Sequence, residues 1–150
     1  MKKVLREIGM IGRCCATISD IEFKEIGLAK GQYMYLVRIY ENPGIIQDRV
    51  ADMLKVDRST AAKAVKKLLG DGLIERVREE GNKKEYKLYC AEKGRELYPF
   101  LEREEGHSLK VAVEGIPVEE VEMAYSVLKR MRINIEKDWQ TVKKGDRRKY

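Results

Sequence analysis

Apolar positions along this chain keep two different rhythms. From about Lys2 to Lys24, Val4, Ile8, Ile11, Cys15 and Ile18 recur at gaps of four, three, four and three residues. That spacing is the seam of a helix lying lengthwise on other helices, and Gly27 ends it. A second helix is predicted from about Lys30 to Glu41, where Asn42-Pro43-Gly44 stops it. A third covers about Ile46 to Leu54, with Ile46, Val50 and Met53/Leu54 on one side. A fourth follows Val56-Asp57 and runs to about Leu69. The rhythm then changes. Gly70-Asp71-Gly72 makes a turn, and Leu73–Arg78 and Glu85–Cys90 have strand character on either side of a polar hairpin tip, Glu79–Lys84. Helical spacing returns from Ala91 to about Val113, and Gly115-Ile116-Pro117 breaks it. The last helix begins near Val118 and reaches about Val142. Along it Val118, Val121, Tyr125, Leu128, Arg132, Ile135, Trp139 and Val142 alternate at three and four residues, with Arg132 alone interrupting the apolar seam. The expected fold class is mainly α with a small β-hairpin (α+β).

Two long helices with heptad-like seams stand at the two ends of a chain of 150 residues. One chain of that size has little core left to cover both, and the economical solution is that the ends of two copies intertwine. The expected organisation is a single subunit over residues 1–150, with residues 1–26 and 91–143 as dimerisation helices and residues 30–90 as a separate lobe.

Composition narrows the class. Hydrophobic content is 43% and charged content 37%, a globular chain with a heavily charged surface. The net charge of +6 and pI near 9.2 suit a polyanionic partner. The three cysteines, Cys14, Cys15 and Cys90, have neither the number nor the spacing of a disulfide framework or a zinc site. The basic start MKKVLREIGMIGRCC lacks a charge-free apolar core and does not read as a signal peptide. No segment is long and apolar enough to span a membrane. A reduced, cytoplasmic setting is expected. His107 is the single histidine, between Gly106 and Ser108, and no residue set supplies a nucleophile with a base. Neither an enzyme nor a bound cofactor or metal is expected.

The informative stretch is IIQDRVADMLKVDRSTAAKAVKKLL, from Ile45 to Leu69. Two short helices joined by a tight turn are the helix-turn-helix unit. At about 100° per residue, Ala61, Ala62, Ala64, Val65, Leu68 and Leu69 share one side of the second helix. Ser59, Thr60, Lys63, Lys66 and Lys67 occupy a separate arc, and no acidic residue lies between Asp57 and Asp71. One face packs; the other is short, polar and cationic, which suits a DNA major groove. Ser59 and Thr60 can bond bases or phosphates, Lys63, Lys66 and Lys67 can neutralise phosphates, and Arg58 can reach the backbone. The following hairpin carries Arg76, Arg78, Lys83, Lys84 and Lys87, diluted by Glu79, Glu80 and Glu85. It reads as a wing for the adjacent minor groove, with Arg76, Lys83 and Lys84 as its DNA contacts.

With these residues in place the chain resembles the MarR family of bacterial and archaeal regulators, over nearly its whole length. The strongest likeness is VDRSTAAKAVKKLLGDGLIERVREEGNKKEYKLYCAEKGREL, Val56 to Leu97. Ser59 and Thr60 match the family's helix start, Leu68 its helix end, and Gly72, Leu73, Ile74 and Arg76 its Gly-Leu-Ile and arginine. The resemblance implies a winged helix-turn-helix subunit, dimerised through its N- and C-terminal helices, that regulates transcription as a homodimer on pseudo-palindromic double-stranded DNA. Two departures stand out. The wing's usual Asp-x-Arg is Asn82 and Lys84 here, and lysine lacks arginine's planar fork. The usual Leu-Thr before the next helix is Cys90-Ala91, and alanine caps less well by about 1 kcal/mol.

The resemblance also implies a small-molecule effector, bound where the dimer helices meet the winged lobe. The candidate lining residues by chain position are Arg13, Cys14, Ile18, Tyr33, Met34 and Val37. A second regulatory reading is thiol-based redox sensing through Cys14/Cys15, as in a peroxide-responsive branch of the family. That branch's tyrosine in an LTYPQY-like segment is Lys30 here, in LAKGQY. The alternative in a different class is a winged-helix protein-interaction module that docks an acidic partner.

Overall fold

A computed structural model describes residues 3–82 and 84–150. The chain divides into two compact units, residues 1–108 and 109–150. The first holds α1 (Val4–Lys24), α2 (Gln32–Glu41), β1 (Ile45–Ile46), α3 (Gln47–Leu54), α4 (Arg58–Gly70), β2 (Ile74–Val77), β3 (Lys87–Cys90) and most of α5 (Glu92–Ala112). The second holds the end of α5 and α6 (Val118–Lys143). The Lys2 end of the expected first helix lies outside the described residues.

The ends of α1 and α4 close in the same way. After α1 the Leu28 amide donates to the Phe23 carbonyl at 3.0 Å and the Gly27 amide to the Lys24 carbonyl at 3.1 Å. After α4 the Leu73 amide donates to the Leu68 carbonyl at 3.0 Å and the Gly72 amide to the Leu69 carbonyl at 3.1 Å. These paired bonds satisfy carbonyls the helix leaves open and bring together the apolar residues that flank the turn. Phe23, Leu28, Leu68 and Leu73 are accordingly all in the core. Around them pack Leu36, Ile39, Val50, Ala51, Ala61, Val65, Ile74, Leu88, Cys90 and Leu101.

The sheet is antiparallel in the order β1-β3-β2, with Ile45 opposite Leu88, Ile74 opposite Cys90 and Arg76 opposite Leu88. Its first strand is a correction to the sequence reading, which starts the third helix at Ile46. Ile46 is extended (φ −88°, ψ 153°) and pairs with Lys87. Two residues are too few to show an alternation. The strand exists because β3 offers a second edge and Gly44 delivers the chain to it. Gly44 has φ 82°, donates its amide to the Leu88 carbonyl at 2.9 Å, and leaves a Cβ no better than 3.0 Å from the Tyr89 hydroxyl. The strands of the hairpin are also shorter than expected: Leu73, Arg78, Glu85 and Tyr86 fall outside them.

Gly94 decides how α5 meets the lobe. A Cβ there would stand 2.1 Å from the Leu73 carbonyl oxygen, which already accepts the Ala91 amide at 3.0 Å. Only glycine lets the first turn of α5 lie against the turn that ends α4.

In the second unit, α6 starts after Pro117, carries Glu119 and Glu120 in its first turn and Lys143 in its last, and so matches the helix dipole at both ends. No residue of α6 is buried. No helix among the described residues is long and apolar enough to cross a membrane.

Candidate nucleic-acid interface

The turn between α3 and α4 is built by one unusual residue. Lys55 takes a left-handed conformation (φ 56°, ψ 42°), so the Val56 amide reaches the Ala51 carbonyl at 3.1 Å. The chain then reverses within three residues into α4, where the Ala61 amide donates to the Asp57 carbonyl at 2.9 Å. Ala61, Val65 and Leu68 are buried, and Ala62, Ala64 and Leu69 half-buried. This is the inner arc that the wheel requires. Small residues there let α4 sit close to α2 and α3, so it projects only its outer face.

That face carries Arg58, Ser59, Thr60, Lys63, Lys66 and Lys67, all exposed. Two of the cations have intramolecular partners. Arg58 lies 3.4 Å from the Asp48 carboxylate of α3, and Lys67 lies 3.5 Å from Asp71. Both pairs are open to solvent, where such attractions are weak and give way to a phosphate. Asp71 is also held by the buried Gln32, whose Nε2 donates to Oδ2 at 2.8 Å. That bond, and then Lys67, holds the Asp71 carboxyl below the usual carboxylate range against its partial desolvation.

The hairpin places Arg76 and Lys84 beside α4. With Lys66, Gln47, Tyr86 and Leu88 they line a cleft of about 830 Å³ between helix and wing. Asp48 and Glu85 also line it. Three cations therefore face two carboxylates, one of them already paired with Arg58. Glu79 is occupied elsewhere, ion-paired with Lys87. The Asn82 side-chain oxygen accepts the Lys84 amide at 3.1 Å. The predicted contact Lys83 lies outside the described residues.

Sequence reasoning missed Tyr86. The Arg76 and Arg78 guanidinium carbons stand 4.6 and 4.4 Å from its ring centroid. The signal was present in the strand alternation, which places Arg76 and Arg78 on one face.

The six candidate effector residues lie on α1 and α2. Arg13 lines a cavity of about 720 Å³ along α1 and the loop after it, with Asp20, Lys24, Leu28 and Lys30, but the other five do not. Cys14, Ile18 and Met34 are exposed, while Val37 and Tyr33 pack on the core. Burial pushes the Tyr33 phenol up, a hydrogen bond with Ser19 opposes this, and the Asp20, Glu104 and Cys15 charges add to the rise. The cysteine near Tyr33 is thus Cys15, whereas Cys14 faces solvent. Adjacent helical residues point about 100° apart, so both cannot face α2. Among the described residues no cluster of histidine, cysteine and carboxylates is placed to hold a metal ion.

The MarR family model matches residues 28–86, the stretch from Leu28 through α4 to the wing. The uncharacterized HTH-type transcriptional regulator YybA of Bacillus subtilis (strain 168) is 55% identical over 150 residues, the full length of both chains. The chain belongs to the MarR family. A second relative, the HTH-type transcriptional regulator BilQ of Clostridium symbiosum, is 34% identical over 59% of this chain and 58% of its own. Among solved structures, a MarR family regulator from Listeria monocytogenes, crystallised with 26mer DNA, superposes with a TM-score of 0.96 at 49% identity over all of both chains. The crystal structure of the regulator SlyA superposes at 0.89 and 50% identity, over 93% of this chain and 98% of that one. Within the MarR fold, the cationic arc of α4 and the cleft beside it are parts of the helix-turn-helix and wing.

Proposed function

We propose that this chain is a transcriptional regulator that binds double-stranded DNA sequence-specifically, as a homodimer on a pseudo-palindromic site. The observation that carries the reading is the outer face of α4. It holds six exposed polar or cationic residues, Arg58 to Lys67, on a helix whose opposite face is buried. Ser59, Thr60 and Lys63 enter the major groove. Lys66 and Lys67 meet phosphates, and Arg58 reaches the backbone once Asp48 releases it. Arg76, Lys84 and Lys83 serve the wing.

A dimer supplies two such helices, which must stand about 34–36 Å apart, one DNA turn or a multiple of it. Support for the dimer comes from the apolar stripes of α1 and α6. Val4, Ile8, Ile11 and Ile18, and Val118, Tyr125, Leu128, Ile135 and Val142, are exposed in the single chain. In this reading residues 30–90 form the lobe, and residues 1–26 and 91–143 the dimerisation helices. The protein works in the cytoplasm, where its DNA is, and has no enzymatic activity. A small-molecule effector acts by favouring a conformation whose two reading helices no longer match the operator.

The test is selection of bound duplexes from a random pool at about 0.15 M salt, where charge-driven binding is moderated. Enrichment of a two-fold symmetric site is the expected result. Recovery of duplexes without a shared sequence would replace this reading with docking on an acidic protein partner.

A further inference from the structure

The inward face of the hairpin changes character along its length. At the root Ile74, Leu88 and Cys90 are buried in the core. One alternation further out, the same face carries Arg76 and then Arg78, opposite Leu88 and beside Tyr86. Arg78 also donates from Nη2 to the Tyr86 hydroxyl at 2.8 Å. Two guanidinium groups, which repel each other, are drawn to one exposed ring. Tyr86, Arg76 and Lys84 then form the wing side of the cleft whose other wall includes Lys66 of α4.

A helix in the major groove and a ribbon in the next minor groove must straddle the sugar–phosphate strand that separates the two grooves. We propose that Tyr86 is a positioning residue that presets two arginines for the phosphates of that strand: Arg76, on the wing side of the cleft, and Arg78, outside the cleft's lining. The inference rests on the DNA-binding reading above. Its physical basis is pre-organisation. Ordering a free arginine on binding costs about two- to tenfold in affinity, and a guanidinium already attracted to the ring and held by the hydroxyl has lost much of that freedom.

The test is duplex binding as a function of salt for Tyr86→Leu, Tyr86→Phe, Arg76→Gln/Arg78→Gln and the combination of that pair with Tyr86→Leu. Tyr86→Leu should weaken binding roughly tenfold with the salt slope unchanged, because every charge remains. Tyr86→Phe keeps the ring and should lose roughly twofold. The arginine pair should lower the slope by about two units, and adding Tyr86→Leu to it should cost less than about twofold. Thermal melting of the free protein should be unchanged in Tyr86→Phe, which controls for folding. A full tenfold loss from Tyr86→Leu in the arginine-free background, or no loss in the wild-type one, overturns the positioning role alone. Absence of duplex binding by the wild-type chain overturns the DNA-binding reading itself, and this inference with it.

Discussion

The winged lobe and the terminal helices obey the same spacing rule and end in opposite surroundings. On α4, Ala61, Val65 and Leu68 recur at gaps of four and three, and all are buried. On α1, Val4, Ile8 and Ile11 recur at the same gaps, the half-buried Cys15 and then Ile18 continue them, and all but Cys15 are exposed. α6 repeats the contrast with Val118, Tyr125, Leu128, Ile135 and Val142. Single exposed apolar side chains are ordinary on any protein, whereas stripes of them along a helix mark a surface made to be covered. Periodicity reports that a helix has an apolar face. It does not report whether the same chain covers that face. In the lobe the chain covers its own; at the ends a second copy is the proposed cover.

The strongest way to break this comparison is to charge both stripes. Ile11→Glu combined with Leu128→Glu should leave monomers in sedimentation analysis and lower affinity for a palindromic duplex by about 10²–10⁴ as two-site binding is lost. The lobe should keep its helical circular dichroism. A dimer that survives the change would mean the stripes are covered in another way.

The complementary change strikes the lobe. Leu68→Ala, at a position with 0% exposure, should cost about 2–5 kcal/mol in denaturant unfolding. Gly94→Ala should cost about 1–3 kcal/mol by forcing α5 off the Leu73 carbonyl. The first tests burial by filling, the second by close approach.

A smaller effect separates reading from folding. Lys66→Ala should weaken binding to all duplexes alike and lower the salt slope by about one unit, with unfolding unaffected. Glu85→Gln removes a carboxylate from the same cleft and should tighten binding a few-fold. An unchanged slope in Lys66→Ala would remove that residue from the phosphate contacts.

A last test concerns the thiols. Cys14 is exposed and Cys90 buried, and burial pushes the Cys90 thiol up to about 11. At neutral pH a thiol reagent should label Cys14 quickly and Cys90 only on unfolding. A folded-state value raised above the ordinary 9.0 contributes stability that is whole below pH 9. It is lost as pH rises toward 11, so the urea midpoint should fall across that window. Fast native labelling of Cys90 would show that the lobe opens where the core contacts place it closed.

Much of the lobe was legible because its signals are local. The Ser-Thr start and alanine-rich inner arc of α4, and the glycines after α1 and α4, act within a few residues of where they stand. The wing was only half legible. Its charged residues were visible, but which of them matter depends on pairing. Glu79 is neutralised by Lys87, while Tyr86 gathers Arg76 of β2 and Arg78 just past its end. β1 was hidden because a two-residue strand has no periodicity and depends on β3, some 40 residues later in the chain. The effector residues were chosen by position along helices. Side-chain direction, which position alone does not give, turns Tyr33 and Val37 toward the core and Cys14, Ile18 and Met34 toward solvent.

The order of helices and hairpin, the cationic arc of α4 and the apolar stripes at both ends were determined by the sequence alone, because each follows from the repeat of a helix or strand and the chemistry of neighbouring residues. Only the tertiary structure decided which stripes the chain covers itself, which charges are spent on each other, and that Gly94 and Tyr86 hold their places through partners distant in sequence. Those outcomes depend on distances between segments, and residue spacing along a chain carries no record of them.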